Sequence, residues 1–407
     1  MRKFFKQAHI WFSLPLGIVI SIICFTGAVL IFEKEITEAV QRDYYRVEPT
    51  SATTLPIEEL LSKIESTLED GRRITGVTVY DDPERSYKVG INTPKHAAIY
   101  INQYTGEVLG EPGRLEFFKV MFRLHRWLMD ERPENDNDIY WGKVIVGTST
   151  LLMIIAILSG AVVWIPKNLK ALKHRTTITL RKGWHRFWYD LHVAGGIYAA
   201  LLLLAMALTG LTWSFEWYGK RFYSLFGVET TTNNHASPKN REAKGGKYLH
   251  WQSAADDVRE LCGDFKEMTI SRGAVSVKHD GWGNQRASDK YSFDNRTGEI
   301  TETVLYADSA HDRKVRGWVY SIHVGNWGGI TTRVMWFMAA MLGATLPLTG
   351  YYLWLRRMIN KWRKKEAKSK VYFVVTLALK ILIYAIVNCG FSRFASLKLH
   401  LFIQPLK

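Results

Sequence analysis

The chain has 407 residues, 47% of them apolar and 13% aromatic, and a formal net charge of +16 from 54 basic and 38 acidic side chains. The basic residues gather beside long apolar runs, which is the pattern of membrane topology rather than of nucleic-acid binding. The three cysteines, Cys24, Cys262 and Cys389, show no CxxC spacing, which argues against a disulfide framework and against a cysteine-ligated zinc or iron–sulfur centre.

Four runs are long enough to cross a bilayer, which takes roughly 20 apolar residues. The first, Ile10 to Phe32 within residues 1–36, follows Arg2, Lys3 and Lys6. Its core is too long for a signal peptide and Phe32 runs straight into Glu33, Lys34 and Glu35, so it reads as a retained anchor. Residues 37–113 then carry a helical stretch from Ile57 to Leu68 and a strand–turn–strand pattern around Tyr104-Thr105-Gly106-Glu107-Val108, a small α+β domain. Residues 114–168 hold an interfacial helix and the second span, Val144 to Ile165, and 169–187 are a basic loop. The third span, Val193 to Phe215, sits in 188–220. Residues 221–310 repeat the α+β pattern, with a Thr/Asn/Lys/Gly-rich linker at 228–247, a helix from Ala254 to Cys262 and a hairpin at Arg296-Thr297-Gly298-Glu299-Ile300. Residues 311–365 hold a second interfacial helix and the fourth span, Val334 to Leu355. In the tail 366–407, the run Val371 to Val387 is interrupted by Lys380. A central lysine costs about 2.5–3.5 kcal/mol on insertion scales, so the tail reads as a cytoplasmic or surface-lying extension.

The basic start, the basic loop and the Arg356–Lys365 cluster fall on one side of a four-span chain. The positive-inside rule makes that side cytoplasmic and the long segments 33–143 and 216–333 external. The chain also matches itself. His9 and His192, Thr26-Gly27 and Thr209-Gly210, and Phe32-Glu33 and Phe215-Glu216 all lie 183 residues apart. Ser159-Gly160 and Trp164 match Thr349-Gly350 and Trp354 at an offset of 190. The reading is a membrane α-helical protein: a four-helix transmembrane bundle from two internal repeats, with two small external α+β domains. Repeated membrane halves place the functional site between them.

Five of the twelve histidines carry the chemistry. His9 and His192 start equivalent spans at the inner side, and His185 lies seven residues before His192 on the same helical face. His125 and His323 precede the second and fourth spans at the outer side. Neutral imidazole is an axial haem ligand, and two on facing helices clamp one haem in a bundle. The placement suggests His9 with His192 on an inner haem iron and His125 with His323 on an outer one, with His185 as a ligand, a haem-edge contact or a structural residue. Taken singly, each histidine is better read as a headgroup or backbone hydrogen-bonder; the pairing is what favours ligation. Gly17, Gly195, Gly196 and Gly325 would admit a flat macrocycle, or simply close helix packing. Arg126, Arg181 and Arg186 are candidates for the propionates. His96, His174, His235, His250, His279, His311 and His400 read as ordinary surface residues. No GxGxxG between strand and helix and no GxxxxGK[ST] occurs, so electrons would come from a quinol or a separate cytoplasmic reductase.

The elements His9-Ile10-Trp11, Thr26-Gly27, Leu124-His125-Arg126, Leu191-His192 and Ile322-His323-Val324-Gly325 resemble the PepSY-associated transmembrane family, over residues 1 to about 365. The Thr-Gly-Glu hairpins resemble its periplasmic PepSY domains. The resemblance implies a multi-pass protein of the bacterial inner membrane with its N-terminus in the cytoplasm. It also implies a haem b protein, with two haems, that reduces ferric siderophores or other ferric chelates in the periplasm for iron acquisition. Two other classes fit the same spans: a membrane-anchored binding or regulatory module for an envelope or secreted partner, without redox activity, and a permease. Few intramembrane charges line a path for the last.

Overall fold

The computed structural model describes residues 1–50, 53–94, 97–135, 138–166, 168–229 and 248–366. The run 371–387, most of the linker 228–247, and His96, His235 and His400 lie outside the described residues. The chain divides into two compact units, Met1–Leu348 and Thr349–Lys407. The described part of the second is the end of the last helix, with its basic run Arg356, Arg357, Lys361 and Arg363.

The chain opens with α1 (Arg2–Ser13) and α2 (Gly17–Leu30), whose axes meet at 71°. A single continuous span from Ile10 is therefore not what forms. Pro15 sits in the break, where its ring removes a backbone donor and clashes with the preceding turn. Helices α3 (Glu33–Val40) and α4 (Arg42–Tyr45) lead to α5 (Ile57–Glu65) and strands β1 (Ile74–Tyr80), β2 (Tyr87–Ile91), β3 (Ala98–Ile101) and β4 (Val108–Gly110). Then come α6 (Glu116–Trp127), α7 (Trp141–Trp164), α8 (Leu169–Thr176) and α9 (Trp184–Asp190). A π-helical turn, Leu191–Gly195, joins α9 to α10 (Gly196–Ser214), and α11 (Glu216–Ser224) follows. Next come α12 (Trp251–Cys262), β5 (Glu267–Ser271), β6 (Ala274–Lys278), β7 (Asp289–Phe293) and β8 (Ile300–Val304). Helices α13 (His311–Val324) and α14 (Gly329–Glu366) close the described chain.

Among the described residues three helices are long and apolar enough to span a membrane: Trp141–Trp164, Trp184–Ser214 and Gly329–Arg363. The bent pair α1–α2 makes a fourth if it counts as one span. Small residues mark the contacts of these helices: Gly17, Ser21 and Ala28 on α2, Gly147, Ser149 and Ala156 on α7, and Ala199 and Ala207 on α10 are buried. Without a hydrophobic drive between helices in lipid, close backbone approach supplies the packing. A Cβ on Gly147 would stand 2.7 Å from the Phe215 ring.

The stretches between α2 and α6 and between α11 and α13 do not form two separate domains. Their strands make one antiparallel sheet of eight, ordered β4-β3-β2-β1-β5-β6-β7-β8. The seam is β1 against β5, from Gly76 opposite Ser271 to Tyr80 opposite Glu267. Gly76 is required at the seam, because a Cβ there would stand 2.7 Å from the Ile270 carbonyl. Helices α5 and α12 cover one face. Each buries positions i, i+3, i+4 and i+7: Ile57, Leu60, Leu61 and Ile64 on one, Trp251, Ala254, Ala255 and Val258 on the other. Their first turns cap each other, the Ile57 N–H donating to Gln252 Oε1 (3.1 Å) and the Gln252 N–H to Glu58 Oε1 (2.9 Å). Both stretches share one apolar core, in which Val77, Val89, Met268, Ile270, Val275 and Val277 are no more than 1% exposed.

Candidate functional site

His125 stands in the last turn of α6 and leans on α2. Its Nδ1 donates to the Ile23 carbonyl at 2.9 Å. Three residues on, the Thr26 hydroxyl donates back to the Ile22 carbonyl (2.7 Å) and its oxygen stands 3.5 Å from the same Nδ1. The next residue is Gly27, where a Cβ would lie 2.8 Å from His125 Cε1. A carbonyl, a hydroxyl and a bare Cα thus form a seat for the imidazole on the flank of a spanning helix.

The same seat recurs. His323, near the end of α13, donates from Nδ1 to the Met206 carbonyl at 3.0 Å. Thr209 donates to the Ala205 carbonyl and lies 3.2 Å from His323 Nδ1, and a Cβ on Gly210 would stand 2.7 Å from His323 Cε1. Ile23 and Met206, Thr26 and Thr209, and Gly27 and Gly210 are each 183 residues apart. At the other end of the spans, His9 on α1 donates from Nδ1 to the Ala156 carbonyl (2.9 Å), with Ser159 Oγ at 3.5 Å and Gly160 under the ring. His192, inside the π-helical turn, reaches the Leu346 carbonyl at 3.1 Å. Leu346 precedes Thr349-Gly350 by the interval at which Ala156 precedes Ser159-Gly160.

A carbonyl oxygen only accepts, so each of the four Nδ1 atoms carries the ring proton and each Nε2 carries the lone pair. Fixing the tautomer through Nδ1 is how metal-binding histidines are usually oriented. The four rings form two pairs. His9 and His192 have ring centres 6.2 Å apart, and so do His125 and His323. A metal–imidazole bond of about 2 Å plus roughly 1.2 Å to the ring centre puts two rings on opposite sides of one metal ion about 6.4 Å apart. The spacing, the tautomers and the glycine seats suit two imidazoles sharing one metal centre, and these four histidines are the residues that would hold haem iron.

A cavity of about 1240 Å³ opens beside His125 and His323. It runs from an apolar floor at Ile20, Cys24, Met153, Leu203 and Met206, past His125 and His323, to the uncovered face of the sheet at Tyr80, Lys88, Tyr100 and Glu267. Arg126 lines it next to His125 and lies over the Phe122 and Trp127 rings at 5.4 and 4.9 Å. Arg186 faces a different partner, donating from Nε to the buried Asp190 carboxylate at 2.9 Å. Arg181 is exposed in the basic loop.

His185 is exposed near the start of α9 and belongs to neither ring pair. Among the remaining histidines, His279 pairs with Asp289 (2.9 Å) and His311 hydrogen-bonds the Phe226 carbonyl (2.7 Å), so both serve local structure away from the ring pairs. Three of the four glycines read as admitting a macrocycle or close helix packing have packing contacts. Gly195 and Gly196 admit Leu342 and Leu346 of α14, and Gly325 ends α13 at φ +73° against the Trp336 side chain. Gly27, Gly160 and Gly210 are the glycines that touch the paired imidazoles among the described residues. Their signal was present as the repeated Ser/Thr-Gly dipeptides, which sequence reading uses as repeat markers without assigning them a contact. Arg114, Arg286 and Arg333, which also line the cavity, gave no local signal because they arrive from distant segments.

No curated protein matches the chain. The PepSY-associated TM region matches residues 6–357, which takes in both histidine pairs, the spans Trp141–Trp164 and Trp184–Ser214, most of the other two and the whole sheet. The chain belongs to the PepSY-associated transmembrane family.

Proposed function

We propose that this chain is a haem b protein of the bacterial inner membrane that carries electrons across the bilayer and reduces ferric siderophores or other ferric chelates in the periplasm. The observation that carries the reading is the twin arrangement of imidazoles: two pairs, each 6.2 Å between ring centres, each ring held through Nδ1 on a helix carbonyl. Among the described residues no group of three or more His, Cys, Asp or Glu side chains stands ready for a bare metal ion. Two imidazoles leave a coordination shell incomplete, and a macrocycle supplies the rest.

On this reading the four spans are a bundle of two repeated halves, and each pair takes one histidine from each half. The equal 183-residue offsets of carbonyl, hydroxyl and glycine support it. His9 and His192 would hold the inner haem, His125 and His323 the outer one. Bound there, haem supplies one-electron redox chemistry at a potential tuned by its axial ligands and their hydrogen bonds. The chain does the rest. The Ile23, Met206, Ala156 and Leu346 carbonyls keep Nδ1 protonated and Nε2 available to iron. Ile20, Met153, Leu203 and Met206 would keep water from a macrocycle held there, and Arg126 would pair with its carboxylates. Iron leaves its chelate because oxygen donors hold Fe(III) far better than Fe(II). The basic cytoplasmic segments orient the chain with the sheet in the periplasm. Electrons would enter from a quinol or a cytoplasmic reductase.

Haem-loaded protein, reduced anaerobically with dithionite and mixed with a ferric chelate, tests the reading. The expected result is reoxidation of the haem bands in step with the appearance of trapped Fe(II). Loaded protein that stays reduced in the presence of every chelate class, yet co-purifies with an envelope partner, would favour a binding module without redox activity.

A further inference from the structure

The cavity over the outer histidine pair has a charge imbalance larger than a cofactor needs. Nine basic side chains line it against four carboxylates, Glu33, Glu35, Glu38 and Glu267. All four carboxylates are already engaged. Arg114 donates to Glu33 (2.6 Å), Arg333 to Glu35 (2.6 Å), Arg85 to Glu38 (3.1 Å) and Lys278 to Glu267 (2.6 Å). Among the described residues Lys88, Arg126, Lys143 and Arg286 have no carboxylate within 4.0 Å. Two propionates of a single haem would offset two of these charges and leave the rest.

Lys88 is the most telling. It points from β2 into the cavity from the sheet face opposite the core and is half-buried. Burial, with repulsion from Lys278, Lys34 and Arg85, holds its amine below the ordinary lysine value despite the pull of Glu267. Placing a cation there costs stability unless an anion joins it. Arg286 lies flat over the Tyr320 ring with its guanidinium carbon 3.7 Å from the centroid, which leaves its edge N–H groups for an acceptor. Tyr45, Tyr80 and Tyr100 complete the wall, the first and last in edge contact at 4.7 Å. Burial pushes the Tyr80 hydroxyl up to about 12 and raises the other two. Tyr45 and Tyr100 hydrogen-bond each other and Tyr80 bonds Arg85, so they form a fixed polar wall and do not compete as phenolates for iron.

We propose that the sheet-facing end of this cavity, beyond His125 and His323, is a docking site for anionic ferric chelates, of the catecholate or polycarboxylate kind, and that Lys88 and Arg286 set the preference for negative charge. Cationic chelates would be excluded by the same field. The proposal rests on the reductase reading for the electron transfer that comes after docking, while the preference itself is a property of binding.

Redox-inert gallium(III) chelates separate the two. The full chain in detergent is titrated, by tryptophan fluorescence, with a triply anionic gallium tris-catecholate and with a gallium trihydroxamate bearing one free ammonium. The anionic probe is expected to bind at least tenfold more tightly at low salt, and the gap to shrink as salt rises. Lys88→Gln and Arg286→Gln are each expected to weaken the anionic probe by about tenfold and leave the cationic one unchanged. Lys88→Glu is expected to reverse the order, and haem content and circular dichroism confirm that each variant is folded. Equal binding of the two probes, or a preference for the cationic one, overturns the proposal even if the protein reduces iron. A clear anionic preference without reduction of the matching ferric chelates supports the site and overturns the reductase reading instead.

Discussion

A histidine on a helix flank needs somewhere to put its ring and somewhere to put its proton. Thr26-Gly27 and Thr209-Gly210 answer both needs, glycine by omitting a Cβ and the carbonyl three residues before the hydroxyl by accepting the Nδ1 hydrogen. Gly210→Ala should therefore disturb the site without touching a ligand. Its methyl would meet His323 Cε1 at 2.7 Å, so the ring must move, and the variant should lose most of its outer-site haem in a pyridine haemochrome assay while remaining folded. Full haem content in Gly210→Ala would remove the seat from the account. Lys88 makes the opposite kind of prediction. Because its folded-state amine titrates low, the unfolded chain binds more protons and stability rises with pH through the folded value of that amine. Lys88→Met, which removes a half-buried charge, should gain on the order of 1 kcal/mol, read as a melting point higher by about 2–4 °C, and flatten that pH dependence. The histidines were legible from sequence as paired positions. Their carbonyl partners were not, because a backbone oxygen carries no sequence signature.

At the scale of elements, α5 and α12 declared themselves through apolar residues one helical turn apart, and the Thr-Gly turns declared the hairpins. What stayed hidden was the seam. Val79 faces Met268 across 189 positions of sequence, and antiparallel registers between distant strands leave no local trace. The consequence is testable. One core shared by both stretches should melt as one unit, so Ile270→Ala, at a fully buried seam position, should cost about 2–5 kcal/mol and lower the transition reported from either stretch equally. Probes in β3 and β7 that melt at different temperatures would show two independent domains. The bend at Pro15 is a second element-scale lesson. Hydropathy counts residues along a run and does not see that a proline inside it breaks the axis.

At the scale of the whole molecule, segregated charge and apolar runs announced the membrane part, and the family assignment over residues 6–357 agrees with it. The internal match made the histidines a set rather than four isolated residues. The cavity did not announce itself, since its basic walls come from α3, the sheet and its loops, α6, α7 and α14, which only the folded chain brings together. The central claim is that each imidazole pair holds one haem. Haem stoichiometry, measured by pyridine haemochrome on purified wild type and on His9→Ala, His125→Ala, His192→Ala and His323→Ala, tests it most directly. The account predicts two haems per chain in the wild type, one in each single variant, and one in the double variants His9→Ala/His192→Ala and His125→Ala/His323→Ala. Wild-type protein without haem, or unchanged stoichiometry in the single variants, would contradict it.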